Sequence, residues 1–376
     1  LAAIATSGDK EGAELVAEAV QDCAGALEAL VAMLPQPPVT KGSVQPDADW
    51  RNGVVPSPAS FGSGGMAVLR LLHVLAMSPD VAQVMADEVD LFPPLLWACL
   101  TREEVSEGGG TQQRPAELDQ DAAATSADEA EAMPASTLAI AIVHLIVTTL
   151  EVPDRQDMLS IPFVMDALFN ALDSKDGTAT AAAVLAVSSF AGLQAFQALL
   201  LVQPQTQNIS LSLNRLKLGA PIPSLAKVPP AFSRHGTTLV KALISQLRTP
   251  PSAIERSGAT ADGSEDNAMT PAAYATSVAL HKRLHVAWAT KQLASERKLC
   301  RAFSQSDEMV ADLVAALSSA GGGGLVAACT PAPGGSGSVS AVSEEELWAM
   351  AHLASALADM SLASAGAGHK VARGQH

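Results

Sequence analysis

Four histidines stand in closely similar apolar settings: Leu72-His73-Val74, Val143-His144-Leu145, Leu284-His285-Val286 and Ala351-His352-Leu353. A neutral imidazole both donates and accepts a hydrogen bond, and its charge varies near neutral pH. A repeated imidazole therefore suits either a hydrogen-bonding role or a helix contact bonded to a carbonyl of the preceding turn. His281 and His285 have the i, i+4 spacing by which two imidazoles share a metal on one helix face. Between them lie Lys282, Arg283 and Leu284, with no carboxylate and two cations. That environment disfavours a divalent ion, so no metal site is assigned.

Other catalytic patterns are incomplete. Ser7-Gly8-Asp9-Lys10 matches S-x-x-K, but no S-D-N element accompanies it. Gly334-Gly335-Ser336-Gly337-Ser338 fails the nucleophile elbow at its last position, and no strand precedes it. Neither a P-loop nor a dinucleotide-binding glycine pattern occurs. No C-x-x-C pair exists among Cys23, Cys99, Cys300 and Cys329. These observations point to a non-catalytic chain without a cofactor, and single buried thiols are expected. Asn208-Ile209-Ser210 is read as a chance glycosylation sequon.

The elements that must carry the histidines are helical. Apolar residues are 48% of the 376-residue chain, aromatic residues only 3%, and there is one tyrosine. The apolar content is mainly Ala, Leu and Val, and Ala and Leu lead the helix scale whereas strands favour aromatic and β-branched residues. Apolar blocks are expected at 11–34, 66–100, 137–172, 179–218, 237–248, 271–318 and 343–364. Ser343-Glu344-Glu345-Glu346 reads as a capping box for the last. Stretches at about 35–65, 101–136, 249–270 and 319–342, rich in Pro, Gly and acidic residues, read as long insertions, with 365–376 a flexible tail. Met66–Met77 is apolar nearly all round and must be covered on most sides. The longest apolar runs, Leu138–Leu150 and Phe190–Val202, fall short of a membrane span of roughly 20 residues and read as buried helices.

Three blocks share one plan. Residues 66–100 give an apolar helix, a Ser-Pro-Asp turn, a short helix and a second apolar helix. Residues 138–172 repeat this around Val152-Pro153-Asp154, and residues 284–317 do so again. At these positions the chain resembles the armadillo/HEAT superfamily. Leu91-Phe92-Pro93-Pro94-Leu95-Leu96 and Ile161-Pro162-Phe163-Val164 are similar to that family's I-P-x-L-V element. The resemblance covers about half of the chain. It implies an all-α, right-handed α-solenoid of four to six repeats, forming a single domain over 1–364. It also implies that His73, His144, His285 and His352 stand where the family has its groove asparagine, which contacts the backbone of an extended bound peptide. Ser188-Ser189 occupies the equivalent place in the intervening block. Trp97, Trp288 and Trp348 are candidate anchors, with core packing the competing reading.

Net charge is −16, yet it is unevenly spread. Residues 101–136 hold nine acidic and two basic side chains, whereas 212–301 hold five acidic and thirteen basic. Lys282, Arg283, Lys291, Arg297, Lys298 and Arg301 form a basic cluster, read either as the site of an anionic partner or as a surface for the chain's own acidic insertion. Nucleic acid is disfavoured by the overall charge and by the lack of interleaved aromatics. The expected function is a protein-binding scaffold or adaptor that grips an extended peptide or an assembly subunit on a concave face. An armadillo-type co-chaperone or nucleotide exchange factor is the alternative, and an α-helical enzyme the remaining class. The chain starts at Leu1 without signal-peptide character, so an intracellular, cytoplasmic location is expected, with an upstream targeting segment left open.

Overall fold

Alanine- and leucine-rich segments bounded by Pro and Gly form helices here, because no β-branched run competes with them. The computed structural model describes residues 16, 18–20, 25–36, 61–100, 133–159, 161, 164–201, 236–248, 271–321 and 344–373. These residues are 86% helical and include no strand, so the fold is all-α. The helices are α1 (Ala26–Ala32), α2 (Gly62–Ala76), α3 (Pro79–Asp87), α4 (Phe92–Cys99), α5 (Ala135–Thr149), α6 (Val152–Met158) and α7 (Val164–Leu172). They continue with α8 (Gly177–Ala191), α9 (Gln194–Leu201), α10 (Gly236–Ser245), α11 (Pro271–Ser295), α12 (Arg297–Ser304), α13 (Asp307–Gly321) and α14 (Glu344–Arg373).

One plan recurs: a long helix, a sharp corner, a short helix, then a third helix. Prolines place two of the corners. Pro79 starts α3 and Pro153 lies in the first turn of α6, where the missing N–H costs nothing. The axes of α2 and α3 bend by 120°, and those of α8 and α9 by 106°. Helices α8, α9 and α10 follow in the same order of long helix, short helix and third helix, which the sequence pattern did not separate. The long helix α11 begins at Pro271, where the expected apolar block 271–318 starts, and so extends ahead of the repeat pattern read from Leu284.

Two rows of helices result. The long helices adjoin in chain order, α2 against α5, α5 against α8, α8 against α11 and α11 against α14. The third helices make a second row, α4, α7, α10 and α13, each beside the next. The core runs between the rows. α5 and α8 are buried on nearly every side, which is why their sequences are apolar all round. In α8 the burial falls mainly on alanines, among them Ala181, Ala182, Ala183 and Ala186. By contrast α12 buries Leu299, Cys300 and Phe303 and turns Arg297, Lys298 and Arg301 to solvent.

Helix C-termini leave carbonyls without intrahelical partners. In the second row side chains on, or just after, the neighbouring helix satisfy some of them. Asn170 Nδ2 donates to the carbonyl of Cys99 at 2.8 Å, and Gln246 Nε2 to that of Leu172 at 3.1 Å. At the other end of a helix, Asp176 caps α8 by accepting from the Thr178 amide at 2.9 Å. Its second oxygen accepts from Thr137 Oγ1, tying α8 to α5.

Several expected boundaries shift. Gly62–Gly65, read as the end of an insertion, form the first turn of α2. α5 starts at Ala135 and α13 continues to Gly321, each trimming an insertion. α14 runs to Arg373 through part of the expected tail, since alanines there sustain the helix despite two glycines. Insertion residues 37–60, 101–132, 249–270 and 322–342, the Ser343 cap, the Asn208 sequon, Ser7–Lys10, Gly334–Ser338, Cys23 and Cys329 lie outside the described residues. Cys99 and Cys300 are buried free thiols.

Asp176→Ala removes both the cap and the cross-helix acceptor. It is expected to lower stability by about 1–2 kcal/mol, read as a lower urea midpoint, with Asp176→Asn recovering part of the loss.

Candidate partner-binding face

Each of the long helices carries one member of the recurring polar set: His73 on α2, His144 on α5, Ser188 on α8, His285 on α11 and His352 on α14. His73 occupies the last turn of α2 and has no exposed surface. Neither of its ring nitrogens has a hydrogen-bond partner among the described residues. His144 is 6% exposed, and its Nδ1 lies 2.9 Å from the hydroxyl of Tyr274. Tyr274 stands in the first turn of α11, and its ring meets that of His73 edge-on with centroids 4.8 Å apart. One phenol thus spans two imidazoles.

Further along the row Ser188 Oγ lies 2.7 Å from both the Leu185 carbonyl and His285 Nδ1. A hydroxyl has one proton to donate. When it serves the carbonyl, His285 must donate through its Nδ1–H. His281, one turn earlier on α11, faces another way, with its Nδ1 3.0 Å from Glu345 Oε1 on α14. The two histidines of the i, i+4 pair therefore address different partners. Among the described residues no group of three His, Cys, Asp or Glu side chains is arranged to hold a metal ion.

Burial passes into exposure toward α14. The His352 ring lies between two tryptophans, 5.2 Å from Trp288 in an edge contact and 6.1 Å from Trp348 in a stacked one. Trp288 and Trp348 are 39% and 54% exposed. Lys291 Nζ lies 6.0 Å from the Trp288 ring, and Trp348 Nε1 donates to Glu344 at 3.3 Å. Trp97 differs from both: it belongs to the second row and is buried in the core. The six basic residues divide between two helices. Lys282, Arg283 and Lys291 lie half-buried on α11, and Arg283 donates to the Ala316 carbonyl at 3.0 Å. Arg297, Lys298 and Arg301 lie exposed on α12.

The row is electrically neutral at pH 7. Burial pushes His73 down to about 4, and it pushes His285 to about 4 with a further contribution from His281. Burial also lowers His144, to about 3, aided by the proximity of His285 and His73. His352 is lowered by burial and then by Lys291. Burial raises the Tyr274 phenol. Three of the ring systems are thus close enough for a charge on one to oppose a charge on the next.

Tyr274 is the member that sequence reasoning missed. Its contact with His144 closes over 130 residues, so no local spacing announces it. Its uniqueness as a tyrosine was visible, but its place was not. Comparison with family models, curated proteins and solved structures finds no match to this chain. Among the described residues no single helix is long and apolar enough to cross a membrane.

Because the buried imidazoles resist protonation, the unfolded chain takes up protons first as the pH falls below about 6.5. Their contribution to stability is complete above that value and declines until the folded pKa values near 4 and 3 are reached. Each buried group then adds up to about 1.4 kcal/mol of destabilisation per pH unit within its window. Urea midpoints measured at pH 7 and pH 4.5 are expected to fall. In His73→Leu, which removes one such group together with its unpaired nitrogens, the fall should be shallower. At pH 7 that variant is expected to be about 1 kcal/mol more stable than the wild type.

Proposed function

We propose that the chain is a non-catalytic protein-binding scaffold or adaptor, built as a right-handed armadillo-type solenoid, which takes an extended peptide segment along its row of long helices. The single observation that carries this reading is the recurrence of a hydrogen-bonding side chain, His-His-Ser-His-His, on five successive adjoining helices. An extended segment offers a backbone N–H and C=O at each residue and needs evenly placed partners that do both jobs. Imidazole and hydroxyl groups do both. The parallel order of the two rows and the repeated corner favour the solenoid form.

The accessible entrance on this reading is the α11–α14 end. Trp288 and Trp348 supply amphipathic area there, and Lys291 adds a cation beside it. Rigid aromatic residues contribute much of the binding energy at such sites because they lose little conformational entropy.

Crosslinking of the full chain to co-purified partners, read by mass spectrometry, tests this. Crosslinks from Lys291 to one recurring partner segment are expected. The double variant Trp288→Ala, Trp348→Ala is expected to lose at least about tenfold in affinity for that segment while keeping its melting temperature. Unchanged affinity would remove the entrance from this face. Capture of a chaperone that nucleotide releases would favour the exchange-factor reading instead.

A further inference from the structure

We propose that Tyr274 is an internal plug: its phenol occupies a recognition position over His73 and His144 that a tyrosine-bearing segment of a partner takes when the first turns of α11 lift away. This inference rests on the reading of the histidine row as a partner-binding face, and it adds what that face recognises and how it is kept closed.

Three observations carry it. The chain's single tyrosine is placed on two members of the recurring row at once, with 2.9 Å to His144 and an edge contact to His73. The plug leaves the position incompletely satisfied, because both nitrogens of the fully buried His73 lack partners among the described residues. A buried imidazole without hydrogen bonds is unfavourable. An incoming segment would bring backbone N–H and C=O groups as well as its phenol, so it can satisfy what the plug cannot.

The third observation is how unevenly α11 is anchored. Its C-terminal half buries Val286, Ala287, Ala289, Thr290, Leu293 and Ala294 between neighbouring helices. From Ala273 to His285 the fully buried side chains are Tyr274 and Val278 alone, and the others retain partial or full exposure. Release of residues 271–278 would thus uncover the His73–His144 position while His281, 3.0 Å from Glu345 Oε1, and the rest of α11 hold their place between α8 and α14. Segments with few buried apolar contacts open at the lowest cost.

The test uses the full chain and two pools of short labelled peptides, one with a central tyrosine and one with phenylalanine at that site. In the wild type the plug competes, so apparent affinity is reduced by the fraction of molecules with the position open. Tyr274→Ala is expected to bind the tyrosine pool about tenfold or more tightly than wild type, with preference over the phenylalanine pool. His144→Leu in that background should abolish the preference. Tyr274→Phe keeps the packing ring and loses the hydroxyl, and it should give a smaller gain in the same direction if the alanine variant does not fold. In the wild type, saturating tyrosine pool should speed amide exchange in residues 271–278. Equal affinities in wild type and both variants, or exchange in 271–278 that stays constant or slows, would overturn the plug and leave the partner-binding face standing. Absence of binding by wild type and variants alike would overturn the face and the plug together.

Discussion

Close packing of the long helices is the constraint on which the rest of the structure depends. α8 sits between α5 and α11, and it does so with alanines at its buried positions. Small side chains let neighbouring helices approach closely, and interiors at crystal-like density leave no room for slack. Ser188 therefore reaches His285 at 2.7 Å across the α8–α11 contact, and Asp176 on the approach to α8 reaches Thr137 on α5. Larger residues along α8 would separate these helices and break the polar row into isolated groups. The low aromatic content and the close helix row are one property seen at two levels.

Polar groups placed in that setting behave unlike those at the surface. Burial holds His73 and His144 neutral across the physiological range, so their contacts rest on packing and hydrogen bonds and not on charge. Tyr274 completes one of these bonds and leaves His73 without any. At the α14 end His352 has aromatic neighbours instead, and Lys291 and Glu344 bring charge to its edge. A single row therefore grades from a sealed, neutral interior to an open, amphipathic surface. The net charge of −16 says little about this face, since much of the negative charge falls on residues 101–136 and the α11–α12 block is locally basic.

Much of the helical content was legible from residue order. Pro79 and Pro153 mark corners, and the all-round apolar runs mark the buried helices α2 and α5. The series α8, α9 and α10 was harder to see, because 34 residues separate α9 from α10 in the sequence and alanine carries too weak a hydrophobic signal to mark a face. Gly62–Gly65 was read as coil because glycine disfavours helix intrinsically, yet in α2 the following apolar turns outweigh that preference.

The histidine positions stood out in the sequence because each has the same apolar neighbours, a local property. Composition and periodicity likewise determined the all-α class, since both depend on residues a few positions apart. Which histidines are sealed, which tryptophans reach solvent, and that Tyr274 lies over His73 and His144 were decided only by the tertiary structure. These depend on contacts between residues far apart in the chain, such as the 130 positions separating His144 from Tyr274. Helical periodicity specifies a face for each residue, but only the stacking of neighbouring helices determines what that face meets.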